Sequence, residues 1–129
     1  MRTRLVVSAV LVFAATLMVV GATVATGAIH LQLNKSTPAA DAVLTESPEK
    51  IVLEFSESFE MAVSKVTIKG AGGDVTLGKL GRHEEDETIM WAPIETPLAD
   101  GVYSVNWVTS SGDGHPVRGD FDFTVEAAR

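Results

Sequence analysis

No cysteine occurs anywhere in the 129 residues. That absence removes disulfides, zinc-thiolate sites, iron–sulfur clusters and thiol nucleophiles together, so a domain built from this chain depends on its apolar core. Basic residues are scarce as well: 10 lysines and arginines stand against 17 aspartates and glutamates, a net charge of −7. Such a balance is wrong for a nucleic acid or an anionic membrane surface, and it attracts cations weakly from a distance. Histidine is limited to His30, His83 and His115. Scattered this widely, they make no nucleophile, base and orienter set. Heptads, internal repeats and low-complexity tracts are missing too.

The one long uncharged run lies at the start. Arg2 and Arg4 precede residues 5–28, which carry no charge and end in small residues, Gly21-Ala22-Thr23 and Ala25-Thr26-Gly27-Ala28. This pattern suits a signal peptidase better than a bilayer interior. A cut after Ala28 leaves Ile29 first, and a cut one bond later frees His30. An uncleaved anchor also fits the length of the run. Residues 1–28 are therefore expected to be a signal peptide and residues 29–129 the domain. Arg2 and Arg4 are the only charges in the leader, so the remaining 101 residues carry 8 basic and 17 acidic groups, a net charge of −9. A chain of that length makes one domain that buries roughly two thirds of its unfolded surface.

Beyond the leader, short alternating segments are separated by turn signals. Residues 30–35 alternate with Leu31 and Leu33 on one side, and residues 50–55 with Ile51, Leu53 and Phe55 inward. A connection over residues 39–48 lies between them. Residues 63–69 follow with Val66 and Ile68 inward, and Gly70-Ala71-Gly72-Gly73 then reads as a turn into a strand over residues 75–79. Residues 81–87, with the run Arg82-His83-Glu84-Glu85-Asp86-Glu87, read as a solvated, mobile loop. Residues 88–92 place Ile89 and Trp91 on one face. Residues 102–110 align Tyr103, Val105 and Trp107, and residues 119–125 align Phe121, Phe123 and Val125. About seven strands without a credible helix predict an all-β fold, an immunoglobulin-like Greek-key sandwich cored by Trp91, Trp107, Phe55, Phe121 and Phe123.

The chemistry concentrates in S-G-D-G-H-P-V at residues 111–117. Gly114 lets the backbone bend so that Asp113 and His115 converge, and Pro116 stiffens the exit. His30, at or beside the expected mature terminus, is the third candidate ligand. Two imidazoles, a carboxylate and a terminal amine make the tetragonal N and O set that Cu(II) favours. The amine fits because its reference pKa is about 8, low enough for a metal to displace its proton. Glu57 is a candidate axial or supporting oxygen, or else a strand-end carboxylate accepting backbone N–H bonds. His83 reads as a solvated residue balanced by Glu84 and Glu85, and Asp120 and Asp122 as the wet face of the last strand. Met61 and Met90, the two methionines beyond the leader, read as packing residues and not as the thioether cluster a Cu(I) site requires.

These residues resemble a known family. G-V-Y-S-V-N-W at 101–107, S-G-D-G-H-P-V at 111–117, and Gly119 followed by Phe121, Phe123 and Val125 are similar to the C-terminal signature of the CopC-type copper resistance proteins. H-L-Q-L-N-K-S-T-P-A at 30–39 resembles the start of the mature family domain, and L-E-F-S-E at 53–57 a strand end between the two. The resemblance implies a small periplasmic or extracytoplasmic Cu(II) carrier of cupredoxin-like sandwich architecture. His30, Asp113 and His115 would then be ligands, and Glu57 a carboxylate near the metal. It also implies work beside a membrane copper transporter of the CopD type. The chain ends at Arg129, four residues after the last expected strand, so no fused transporter is expected. A monomeric carrier is expected as well. At the processing site the sequence departs from the family, since a cut after Ala28 would leave Ile29 ahead of the histidine. Copper enzymes that cleave polysaccharides oxidatively use two histidines as a brace and lack an equatorial aspartate, so no enzyme is expected. A metal-independent interaction sandwich is the alternative.

Overall fold

Alternation of apolar and polar residues decides which side of each strand is buried, and pairing decides which strands share a sheet. The computed structural model describes residues 30–127. The expected leader and its cleavage site lie outside them. The strands are β1 (Leu33–Thr37), β2 (Val43–Leu44), β3 (Lys50–Phe55), β4 (Lys65–Gly70), β5 (Gly73–Asp74), β6 (Gly81–Arg82), β7 (Ile89–Pro93), β8 (Gly101–Ser110) and β9 (Pro116–Val125). A single 3-10 turn, Met61–Val63, is the helical segment of the described residues. One sheet runs β1-β3-β7-β6 and the other β2-β9-β8-β4-β5. The result is the expected all-β sandwich.

Between the sheets lie Leu31, Ile51, Leu53 and Phe55 from one side and Val66, Ile68, Tyr103, Val105, Trp107, Phe121, Phe123 and Val125 from the other. Fully burying a side chain such as Ile51 or Phe123 contributes roughly 1.5–3 kcal/mol. Phe55 links the layers by edge contacts, with ring centroids 5.2 Å from Trp107 and 5.6 Å from Phe59. Tyr103 stacks on Phe123 and donates its hydroxyl to the carbonyl of Ala99, 2.7 Å away. The phenol is thereby satisfied within the core.

Three expectations are corrected by pairing. Trp91 is only half-buried and lies outside the core, whereas Met90 and Ala92 are buried. Residues 89–92 read I-M-W-A, apolar at every position, so period two cannot tell the inner face from the outer. The register does: Leu53 pairs with Met90 and Ile51 with Ala92, and all four face inward. Trp91 instead covers Gly81 on the outer face, where a Cβ would stand 2.0 Å from the indole. Residues 75–79 form no strand, because the glycine turn is itself the tip of a β4–β5 hairpin and only a bridge from Leu77 to Ile94 follows. Residues 81–87 are not wholly a solvated loop: Arg82 is half-buried in β6, stacks over the Phe59 ring at 4.5 Å and donates to the Phe59 carbonyl.

A bulge in β1 explains where the first alternation stops. Leu33 pairs with Phe55 and Lys35 with Glu54, so the register slips across Asn34. The extra residue resets the pleat. Ser36 thus takes the inward-facing position that strict alternation would assign to Lys35, and the lysine stays exposed beside Glu54.

Candidate metal centre

The two longest strands deliver the loop that carries Asp113 and His115. β8 and β9 pair from Gly101 with Val125 up to Ser110 with Pro116, leaving residues 111–115 as the connection. The amide of Gly114 donates to the carbonyl of Ser111 at 3.1 Å, and Gly114 has φ +78°. That conformation suits glycine because a Cβ would be strained there. Proline fits as the first residue of β9, where its fixed φ suits the strand and little pairing is lost.

Asp113 is oriented by its own loop. One carboxylate oxygen, Oδ1, accepts the His115 amide at 2.9 Å and the Ser111 hydroxyl at 3.0 Å. The other, Oδ2, stands 3.4 Å from His115 Nδ1. The amide bond from His115 and then the Ser111 hydroxyl hold the carboxyl below the usual carboxylate range, outweighing the small opposing effect of burial. Both side chains remain open to solvent, 74% for His115 and 41% for Asp113.

His30 arrives from the other end of the sequence. The Gln32 carbonyl accepts the Ser56 amide at 2.8 Å, and the Gln32 amide donates to Ser56 Oγ at 2.9 Å, so the chain ahead of β1 lies along the segment that leaves β3. The His30 ring meets that of His115 edge to face, with centroids 6.3 Å apart and planes at 89°. The structure thus gathers the three expected ligands at one end of the sandwich. As the side chains stand, no group of three or more His, Asp or Glu among the described residues is arranged to hold a metal ion.

The other candidates fall elsewhere. Glu57 is half-buried just past β3, on the segment that runs beside the His30 end. It takes part in no hydrogen bond or ion pair among the described residues, so it is not the backbone-capping carboxylate allowed by the sequence. His83 is exposed, and its Nδ1 accepts the Glu85 amide at 3.1 Å, a local arrangement within the acidic loop. Asp120 and Asp122 lie on the wet face of β9, where Asp122 accepts the Ser104 hydroxyl at 2.6 Å. Met90 is buried and Met61 packs partly against the core, as expected of packing residues.

Sequence reasoning missed the hydroxyls beneath the loop. Thr109, Ser110 and Ser111 are the buried polar residues of the described chain. Ser64 Oγ donates to the Glu60 carbonyl at 2.7 Å, which leaves it to accept from Thr109 Oγ1 at 2.6 Å. The Glu60 amide donates to the Ser110 carbonyl at 2.8 Å. These bonds fasten the 3-10 turn to the end of β8. The signal was the run T-S-S at the end of an otherwise apolar strand, since buried hydroxyls need partners.

The family model described as CopC domain matches residues 33–126. Protein YobA of Escherichia coli strain K12 is 34% identical over 98 residues, covering 75% of this chain and 79% of the relative. Copper resistance protein C of Escherichia coli is 34% identical over 105 residues, covering 75% and 82%. The crystal structure of PcoC, a methionine-rich copper resistance protein from Escherichia coli, superposes with a TM-score of 0.68 at 32% identity, covering 75% of this chain and 99% of that one. With a family model matching residues 33–126, a relative 34% identical and a shared fold, the chain belongs to the CopC domain family.

Proposed function

We propose that this protein is an extracytoplasmic Cu(II) carrier whose cargo is held by His30, Asp113 and His115. The observation that carries the reading is the convergence of Asp113 Oδ2 and His115 Nδ1, 3.4 Å apart, on a loop faced by the His30 ring. Donors about 2.0 Å from an ion at right angles to each other lie about 3 Å apart, so this pair needs only a slight adjustment to share one. Two imidazoles on opposite sides of an ion at that distance have centroids about 6 Å apart, which matches the His30 and His115 rings. A terminal amine from processing at residue 29 or 30 completes a four-donor set.

Metal choice follows from donor type. Nitrogen and oxygen donors hold Cu(II) more tightly than the other divalent first-row ions, and soft sulfur is what Cu(I) needs. Cysteine is absent, Met90 is buried and Met61 packs partly against the core, so little thioether is at hand. This chain thus differs from its methionine-rich relative in the donors it offers. The open site suits loading and release, a carrier's task. Copper resistance or homeostasis, a periplasmic location, a monomeric state, no enzymatic turnover and transfer to a CopD-type membrane transporter complete the reading. The names of the relatives support its copper part.

Titration of the processed protein with Cu(II) and Cu(I), each under competition with a chelator, tests it. One tightly bound Cu(II) per chain and no comparable Cu(I) binding are expected. Equal or tighter Cu(I) binding overturns the metal assignment, and absence of copper binding leaves the metal-independent interaction domain.

A further inference from the structure

The two oxygens of Asp113 have separate surroundings, and the difference originates in Ser111. Oδ1 receives two donors, the Ser111 hydroxyl at 3.0 Å and the His115 amide at 2.9 Å. Oδ2 faces His115 Nδ1 at 3.4 Å. A carboxylate on an open loop otherwise rotates freely, because the torsion at its end is broad and nearly twofold. The amide alone could hold either oxygen as the group turns. A second donor from a different direction removes that freedom.

Ser111 is suited to the task because it belongs to the strand end and not to the exposed tip. It is 8% exposed, and its carbonyl accepts the Gly114 amide at 3.1 Å. Its neighbour Ser110 pairs with Pro116 and accepts the Glu60 amide, while Thr109 is tied to Ser64. The hydroxyl is therefore held by the rigid hairpin while the carboxylate it contacts is 41% exposed.

We propose that Ser111 is a positioning residue for copper. By occupying Oδ1 together with the His115 amide, it commits Oδ2 to the metal and makes Asp113 a single-oxygen ligand. The proposal rests on the copper site described above and names the residue that sets its geometry. A carboxylate restricted to one oxygen leaves the remaining in-plane positions to the imidazoles and the amine. Released from Ser111, the same carboxylate can turn and chelate through both oxygens, which crowds a tetragonal ion.

The test uses the processed protein and three variants, Ser111→Ala, Ser111→Thr and His115→Ala. Each is measured for Cu(II) affinity under competition, electron paramagnetic resonance and thermal stability without metal. Loss of a group that orients a ligand typically lowers metal affinity about 10–100-fold. Ser111→Ala is expected to fall in that range with altered copper hyperfine splitting, and Ser111→Thr, which keeps the hydroxyl, to restore both. If His115→Ala weakens binding while Ser111→Ala leaves affinity and spectrum unchanged, the positioning role is overturned and the copper site stands. Weakened affinity with an unchanged spectrum, or without recovery in Ser111→Thr, marks a merely structural serine and overturns it too. If His115→Ala does not weaken Cu(II) binding, the copper site itself has failed.

Discussion

The imidazoles of His30 and His115, drawn from opposite ends of the domain, meet edge to face with centroids 6.3 Å apart. One stands ahead of β1 in the first sheet, and the other ends the β8–β9 connection of the second. The candidate site is therefore a product of sandwich assembly, and neither sheet carries it alone.

Because the His115 side chain is 74% exposed, it can be removed with little effect on packing. His115→Ala should weaken Cu(II) binding at least tenfold, a loss of about 1.4 kcal/mol or more. The melting temperature of the metal-free protein should stay nearly constant. A large drop in that temperature would assign the histidine to the fold.

Affinity should depend on pH through the histidines. Imidazole has a reference pKa of about 6.5, and a ligating imidazole must first lose its proton. Binding should weaken as pH drops, with protons released on binding. Asp113 adds no slope there, because the His115 amide and Ser111 hold its carboxyl below the ordinary carboxylate range. It stays ionised until the pH falls through that lowered value, and only then is its share of the binding lost. Calorimetry in buffers of different ionisation enthalpy measures the protons released. A flat affinity between about pH 5 and 8 contradicts histidine ligation.

Processing should control the site. If the terminal amine is a ligand, one extra residue ahead of the natural terminus should lower Cu(II) affinity by about tenfold or more and remove a nitrogen from the paramagnetic resonance spectrum. His30→Ala should act alike. His83→Ala should do neither, since His83 is exposed and engaged locally by the Glu85 amide. Unchanged affinity in the extended protein would restrict the ligands to side chains.

Two glycines give a contrast in stability. A Cβ on Gly119 would stand 2.4 Å from the buried Trp107 ring, and one on Gly81 would stand 2.0 Å from the half-exposed Trp91 ring. Overpacking a core costs about 1–3 kcal/mol. Gly119→Ala should reach that range in chemical denaturation. Gly81→Ala should cost less, despite the shorter distance, because Trp91 can tilt toward solvent. Equal losses would show that exposure does not relieve the clash.

Much of the sandwich could be read locally. Apolar and polar residues alternate over residues 103–107 and 119–125, and over 50–55 apart from Val52, so Ile51, Leu53, Phe55, Tyr103, Val105, Trp107, Phe121, Phe123 and Val125 can be assigned inward without knowledge of any partner strand. The rule stopped at β7, where I-M-W-A is apolar throughout and only its register with β3 chose Met90 and Ala92 over Trp91. Arg82 shows the same limit, since its charge reads as solvated until Phe59 arrives across the fold to receive it.

By itself the sequence determined which donors are on offer: without cysteine, and with S-G-D-G-H-P beside a glycine-permitted turn, any metal held by this loop would meet nitrogen and oxygen and no thiolate. What only the tertiary structure decided was which distant groups meet and how they are oriented. His30 comes to His115 through pairing of the Gln32 and Ser56 backbones and closure of two sheets. Ser111 is turned onto one oxygen of Asp113 by a hairpin end anchored to residues 60 and 64. Contacts of this kind depend on the path of the whole chain, and no local periodicity encodes them.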